Sequence, residues 1–201
     1  YYDRMLAFGD MSLREYEIRA TLMVHDIRRP GPEDGGNMVI HFAVALRWPG
    51  HDLDEFQPHR KWWPLGMTAE FQLQERPNAG RWRILGGAGF KVQSDELTPF
   101  EYLRWYTVRA QARNVTADTT CYSVKLWPAD QAEPAGWQIT ADKPTADIPS
   151  GGALVIGHYS DITVAAAELL PLGSPRTTTR PAQLTREQTR VPAATPQTGP
   201  P

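Results

Sequence analysis

The sequence predicts an all-β protein, a two-sheet antiparallel sandwich followed by an extended C-terminal tail. Across its 201 residues, 18 Pro and 16 Gly divide the chain into short segments. Most of these segments alternate apolar and polar residues with period two, which is typical of half-buried strands. After Leu172 the large apolar residues nearly disappear. These observations predict one β-sandwich domain over 1–172 and a Pro/Thr/Arg-rich tail over 173–201.

The first two long strands are predicted from alternation. In "EYEIRATLMV" (15–24) every second residue is apolar, and the opposite face carries Glu15, Glu17, Arg19 and Thr21. "MVIHFAVALRW" (38–48) is apolar on nearly both faces, which favours a central position in its sheet. Its pattern puts Trp48 on the same face as Phe42 and Val44.

The remaining elements follow in chain order. "MTAEFQLQ" (67–74) and "RWRIL" (81–85) form a predicted hairpin, and one short helical turn is plausible within 98–106 because Thr98 and Glu101 have capping-box spacing. The alanines of 161–170 allow a short helix, but a strand is favoured because the preceding "HYSD" is typical of a turn after a strand. The further predicted strands are 105–113, 120–127, 136–140 and 152–160.

The same alternation predicts a core between the sheets. Its members are the inward-facing apolar residues of the predicted strands, which should be buried. They are Tyr16, Ile18, Leu22, Ile40, Phe42, Val44, Phe71, Tyr106, Val108, Val124, Leu126, Leu154 and Ile156.

Composition limits the partners and the compartment. The net charge of −2 gives no general field for nucleic acid or an anionic membrane. Cys121 is the only cysteine, so compartment cannot be read from cysteine use. Because Tyr1 already lies close to a strand pattern, we expect an upstream segment, through which membrane contact would come unless a partner provides it. We expect an extracytoplasmic location, periplasmic or at the cell surface.

Four quoted stretches resemble laminin-G-like sandwiches of the concanavalin A-like lectin/glucanase superfamily. "MLAFGDMSLREYEIRATLMVHD" (5–26) is similar to their opening Gly-Asp turn and "YEI" strand, and "LRWYTVRAQARN" (103–114) to a later Trp-Tyr strand. "YSVKLWPADQAEPAGWQIT" (122–140) and "PSGGALVIGHYSDITVAAAELLPL" (149–172) resemble the following hairpin and the closing strand pair. The resemblance implies a jelly-roll sandwich, a fold that carries lectins, glycosidases, lyases and adhesive modules.

Glycosidases of that superfamily place paired carboxylates on one strand, as acid/base and nucleophilic chemistry on a glycoside requires. Here Glu15 and Glu17 share a face beside Arg19, and no E-x-D-x-x-E run exists. We interpret the two glutamates as part of a solvated strand face. The sequence therefore predicts that the protein is not an enzyme.

The densest polar cluster, "HDLDEFQPHRKWW" (51–63), is the candidate binding loop. Trp62 and Trp63 are candidates for sugar or protein contact, and Asp52, Asp54 and Glu55 could offer oxygens to Ca²⁺. The alternatives are a solvated loop without a metal, because no strong metal motif is present, and indoles that pin the loop to the core.

Two tryptophans, Trp127 and Trp137, bracket the polar stretch "PADQAEPAG". We interpret this as fold architecture: Trp127 closes one strand, Trp137 opens the next, and the prolines restrict the connection. The alternative is an exposed indole that serves as a ligand platform.

The tail carries four arginines against one glutamate and too little apolar surface to fold alone. It is predicted to lie along another protein subunit, with Arg176, Arg180, Arg186 and Arg190 as contacts. The sequence thus favours a non-catalytic interaction module of a larger assembly. The alternative is a carbohydrate-binding module that uses the loop with Trp62 and Trp63.

Overall fold

The computed structural model describes residues 4–29, 31, 39–50, 66–76, 78–87 and 89–175, without the side chains of 74–76. It contains twelve strands and, within these ranges, one turn of 3-10 helix at Thr145–Asp147. No helix in the described ranges is long and apolar enough to cross a membrane. The strands are β1 (Arg4–Phe8), β2 (Tyr16–Ile27), β3 (His41–Trp48), β4 (Met67–Arg76), β5 (Ala79–Leu85), β6 (Lys91–Gln93), β7 (Thr98–Pro99), β8 (Trp105–Asn114), β9 (Thr119–Pro128), β10 (Ile139–Pro144), β11 (Gly152–His158) and β12 (Ser160–Leu170).

These strands form the two predicted antiparallel sheets. One has seven strands in the order β1-β11-β3-β4-β5-β6, with β7 paired to β5. The other has five strands in the order β10-β9-β8-β2-β12. The β4–β5 hairpin and the strand character of 161–170 are confirmed.

The main core lies between the sheets and is rich in aromatic rings. Phe100 stacks on Tyr106 with ring centroids 4.6 Å apart, and Phe42 stacks on Phe71 at 5.1 Å. All thirteen residues predicted to be buried are buried. Leu154 and Ile156, however, pack with Ala43 and Ala45 on the other face of the seven-stranded sheet, in a second cluster.

The predicted face of Trp48 is wrong. Arg47 adopts a positive φ of 54°, which breaks the alternation of β3 just before its end. The Arg47 side chain therefore turns inward and is fully buried, while Trp48 joins the second cluster with Ala43 and Ala45. A period-two pattern cannot signal such a left-handed residue when it is not glycine.

The predicted helical turn within 98–106 is also replaced. Thr98 and Pro99 pair with β5, and Phe100 is buried against Tyr106. The Leu103 amide donates a hydrogen bond of 2.9 Å to the Val24 carbonyl, and Leu103 has a φ of 60°. Cross-strand bonding therefore takes precedence over the local capping signal in this segment.

Candidate functional site

The predicted site residues lie outside the described residues. This holds for the loop residues Asp52, Asp54, Glu55, Trp62 and Trp63, which stay predictions. Within the ranges that are described, no group of three His, Cys, Asp or Glu side chains could hold a metal ion. The possible Ca²⁺ site therefore also stays a prediction.

The predicted partner contacts of the tail also stay predictions. Arg176, Arg180, Arg186 and Arg190 lie outside the described residues as well. Only the first three residues of the predicted tail, 173–175, are described, and they contact the domain itself.

A charged row crosses the outer face of the five-stranded sheet. The register places Glu168 of β12 opposite Arg19 of β2, Arg19 opposite Arg109 of β8, and Arg109 opposite Lys125 of β9. We call these four residues the charged row. Three cations side by side would repel one another in an ordinary solvated sheet, so their neighbours have to supply negative charge.

Arg109 is the centre of this arrangement and is 5% exposed. Its Nε donates to Glu17 Oε2 at 2.8 Å and its Nη1 donates to Glu133 Oε1 at 2.7 Å. Its Nη2 donates to Glu17 Oε2 as well and, at 2.9 Å, to the carbonyl oxygen of Ser174. A buried guanidinium is tolerated because its donors are matched by acceptors, two of which are carboxylates.

The sequence predicted that Glu17 lies on a solvated strand face, and for Glu17 this prediction is wrong. Glu17 is 2% exposed and bonded to Arg109, which lies 92 residues further along the chain. Glu15 is exposed and accepts a hydrogen bond from the Asn114 amide. The two glutamates share a strand face but have separate environments.

The connection between Trp127 and Trp137 folds back onto this face. Glu133, from that connection, lies 2.8 Å from Lys125 Nζ, which also donates to the Pro134 carbonyl at 2.8 Å. The Lys125 ammonium sits 4.7 Å from the Trp137 ring centroid and 5.9 Å from that of Trp127. The two indoles thus flank one buried cation, and the predicted architectural role gains a specific cause.

Gln138, the residue after Trp137, anchors the end of the connection. Its side-chain oxygen accepts from the Leu126 amide at 2.9 Å and from Trp82 Nε1 at 2.8 Å, while its nitrogen donates to the Leu126 carbonyl at 2.9 Å. Trp82 belongs to β5, so this single amide ties the connection to both sheets.

Residues 173–175, which we call the strap, lie on the same face. After β12 a turn is closed by the Ser174 hydroxyl, which donates to the Pro171 carbonyl at 2.6 Å. The Gly173 amide donates to Glu17 Oε1 at 3.3 Å, and the Pro175 carbonyl accepts from Arg19 Nη2 at 3.1 Å. The strap therefore occupies hydrogen-bond positions of Arg19 and Arg109, which we call the outer-face arginines.

Arg19 is the least satisfied member of the charged row. Its Nη1 lies 3.6 Å from Glu168 Oε1, and its Nη2 lies 3.9 Å from Glu133 Oε2. Its Nε is buried and has no hydrogen-bond partner among the described residues. A buried donor without an acceptor costs about 1–3 kcal/mol, so an added acceptor would be stabilising at this position.

The network fixes its own protonation states. Burial raises the pKa of Glu133, but hydrogen bonds from Lys125 and Arg109 outweigh that effect and hold the pKa below its usual range. Burial alone would lower the pKa of Arg109. Its hydrogen bonds to Glu17 and Glu133 have the larger effect, so the pKa of Arg109 is raised above its usual value. Both groups are charged at neutral pH.

The end of the face beyond the charged row is less polar. The half-buried indole of Trp105 begins β8 opposite Met23, and Thr21 lies opposite Thr107. His25 Nε2 lies 2.7 Å from the Thr163 hydroxyl. Aromatic surface beside hydroxyl and imidazole groups suits a ligand that has both apolar and hydroxyl surfaces.

The outer face of the seven-stranded sheet has a separate polar cluster. Glu70 is fully buried and accepts a hydrogen bond of 2.8 Å from Arg83 Nε. His41 stacks on His158 with ring centroids 4.7 Å apart, and its Nδ1 lies 2.9 Å from the Val39 carbonyl. The side chains that meet in this cluster are a carboxylate, a guanidinium and two imidazoles.

Comparisons with known proteins identify the fold. No family model matches this sequence, and no curated protein matches it. Carbohydrate binding module CBM66 from Bacillus subtilis is similar in structure, with a TM-score of 0.50 and 12% identity over 84% of this chain and 82% of that one.

Two lectins also align with the chain. Galectin LEC-6 of Caenorhabditis elegans gives a TM-score of 0.45 and 12% identity over 84% of this chain and 94% of its own. Lactose- and MES-liganded congerin II gives 0.42 and 10% over 83% and 98%. At these identities the likeness concerns the fold. The predicted two-sheet antiparallel jelly-roll β-sandwich is confirmed by the sheet topology and the likeness to the binding module.

Proposed function

We propose that this domain is a non-catalytic carbohydrate-binding module with its site on the outer face of the five-stranded sheet. The observation that carries the proposal is the buried Arg19 Nε, a donor that no described residue satisfies. A sugar hydroxyl is an acceptor of suitable size and can also donate to neighbouring carboxylates.

The surroundings of Arg19 favour an uncharged sugar. The positive charges of Arg19, Arg109 and Lys125 are matched by Glu17, Glu133 and Glu168. The half-buried indoles of Trp105 and Trp137 provide apolar ring surface close to the charged row. Planar polar groups beside indoles match the alternating C–H and O–H surfaces of a neutral oligosaccharide.

Binding is favoured over glycoside hydrolysis by the state of the carboxylates. Hydrolysis requires a carboxylic acid of raised pKa opposite a second carboxylate. Glu133 instead has a lowered pKa, and Glu17 is bonded twice by Arg109. Glu17 and Glu133 are therefore held as counterions to arginine and lysine.

The structural-subunit hypothesis remains a second prediction. The arginines that would contact a partner lie outside the described residues, and the described strap contacts this domain. Binding to a protein partner and binding to a sugar use different parts of the chain, so the two hypotheses can be tested separately.

An array of immobilised neutral and acidic oligosaccharides tests the proposal. We expect neutral oligosaccharides to bind the wild-type chain, and Arg19→Met to lower the affinity about tenfold because one charged hydrogen bond to the ligand is lost. Arg113→Met is the matched control, since Arg113 is an exposed arginine four residues beyond Arg109 on β8. Its binding should equal that of the wild type.

The same array separates the sheet face from the predicted loop. A chain carrying both Trp62→Ala and Trp63→Ala should keep its affinity if the site is on the sheet. Loss of binding in that double variant, with Arg19→Met unaffected, would place the site on the loop. A failure of the wild-type chain to bind any oligosaccharide contradicts the proposed function, provided that variants without a docked strap also fail.

A further inference from the structure

The strap occupies donors of Arg109 and Arg19, the arginines at which the proposed sugar site lies, although not the Arg19 Nε itself. Ser174 and Pro175 present their main-chain carbonyl oxygens to Arg109 and Arg19, at 2.9 and 3.1 Å. Carbonyl and hydroxyl oxygens accept from a guanidinium in the same way. A sugar that engages these arginines on the outer face therefore takes positions that the strap already fills.

The strap is held weakly in comparison with the Trp127–Trp137 connection. Its described attachments to the sheet are three hydrogen bonds, from Arg19, from Arg109 and to Glu17. Gly173 and Pro175 are exposed, so the strap buries little apolar surface. The connection, in contrast, is held by Glu133, which forms ion pairs with Lys125 and Arg109. Segments with few buried contacts open at the lowest free-energy cost.

One residue sets the direction of the strap. Gly173 has a φ of 77°, in the left-handed region, and the space around its Cα is open. An added Cβ would meet no atom within 4 Å, so a substitution there acts through the backbone alone. Proline cannot adopt this φ and has no N–H for Glu17. Gly173→Pro should therefore release the strap without altering any other side chain.

We propose that the strap is a built-in competitor of the sugar, so that carbohydrate binding to the outer-face arginines and displacement of residues 173–175 are linked. This inference rests on the proposed function. The linkage is reciprocal. A sugar that displaces the strap releases residues 173–175 from the sheet, and a partner that holds the strap off the sheet raises the affinity for the sugar. A strap closed about nine-tenths of the time lowers the apparent affinity about tenfold.

The test compares four variants with the wild-type chain on the immobilised oligosaccharide array. Two are truncations that differ by the strap alone, one ending at Pro175 and one ending at Leu172. The third is Gly173→Pro in the full chain, which creates no new terminal carboxylate. The fourth is the matched control Gly87→Ala, at a glycine whose added Cβ also meets no atom within 4 Å and whose φ lies outside the left-handed region.

The chain ending at Leu172 and Gly173→Pro should each bind about tenfold more tightly than the wild type. Gly87→Ala should bind like the wild type. The chain ending at Pro175 should bind the oligosaccharide no more tightly than the wild type does, because it keeps the strap and the carboxylate of Pro175 still accepts a hydrogen bond from Arg19. Thermal melts of all the proteins establish that each is folded.

Equal affinities across the folded variants overturn the strap inference and leave the proposed function standing. Weaker binding after strap removal also overturns it, since the strap would then be part of the sugar site. If neither strap variant folds, the strap is a structural element and the inference fails. If no protein of the set binds any oligosaccharide, the proposed function fails, and the strap inference fails with it.

Discussion

Two buried arginines, one inside the sandwich and one on its outer face, are satisfied in different ways. Arg47, inside, is fully buried and donates to the carbonyls of Arg14 and Ile148, at 2.8 and 2.9 Å, to Thr120 Oγ1 at 3.0 Å and to Asn114 Oδ1 at 2.7 Å. None of these acceptors carries a charge. Arg109, outside, donates to two carboxylates and to one carbonyl of the strap.

The difference teaches which arginine belongs to the scaffold and which to the site. The acceptors of Arg47 come from separate segments of the chain, and the Arg47 amide also donates to the Tyr16 hydroxyl at 2.7 Å. That hydroxyl in turn donates to the Gly152 carbonyl at 2.7 Å, and burial raises its pKa. Arg47 thus locks one end of the sandwich, while Arg109 shares its donors with a segment that a ligand can replace.

The largest expected effect is on Arg47. Arg47→Met removes the Arg47 donors from four buried or half-buried acceptors, of which Asn114 Oδ1 keeps a hydrogen bond from Thr120 Oγ1. We expect it to lower the free energy of unfolding by about 4 kcal/mol. Urea unfolding at neutral pH measures the change. Arg113→Met, at an exposed arginine, should change stability by less than about 0.5 kcal/mol. A loss below about 1 kcal/mol for Arg47→Met would mean that Arg47 does not lock the sandwich.

A smaller effect, with a dependence on pH, is expected at Glu133. Its pKa is lowered in the folded state, so its contribution to stability is present above the unfolded pKa of about 4.3 and is lost as the pH falls through the folded pKa. Glu133→Gln should therefore be about 1–2 kcal/mol less stable than the wild type at pH 7. The gap should close as the pH falls from the unfolded pKa through the lowered folded pKa, where the wild-type carboxylate also becomes neutral.

Urea unfolding of both proteins at pH 7, 5 and 3 checks this expectation. The destabilisation by Arg47→Met provides the contrast, because the acceptors of Arg47 do not titrate and its effect should be similar at the three pH values. A Glu133→Gln gap that stays constant with pH would show that the carboxylate does not act as the counterion of Lys125 and Arg109.

The fold was predictable from the sequence because alternation reports which face of a strand is buried. Tyr16, Ile18 and Leu22 were placed in the core from period two alone, and they are buried. The short strands β6 and β7 were missed because three and two residues are too few to show a period. Trp48 was assigned to the wrong face because the positive φ of Arg47 leaves no trace in the pattern of residue types.

The outer face was harder to predict than the core. Alternation shows that Glu17 and Arg109 point away from the core, but it cannot show whether other chain segments cover them. Glu17, Arg109, Glu133 and Ser174 come together only through the sheet register and two returning segments. The one local signal was the pair Trp127 and Trp137 on either side of a connection that contains Glu133, which we interpreted as architecture alone. The loop with Trp62 and Trp63 stays a prediction.

The most direct test of the account is a two-dimensional NMR spectrum of the arginine Nε–H groups, recorded while the best-binding oligosaccharide of the array is added. Arg19, Arg109 and Arg47 report in one spectrum on the site and on the scaffold. The account predicts that the Arg19 and Arg109 signals shift in a saturable way, with the same midpoint, while the Arg47 signal stays in place. Saturable binding that leaves Arg19 and Arg109 unshifted would contradict a site on the outer face of the five-stranded sheet.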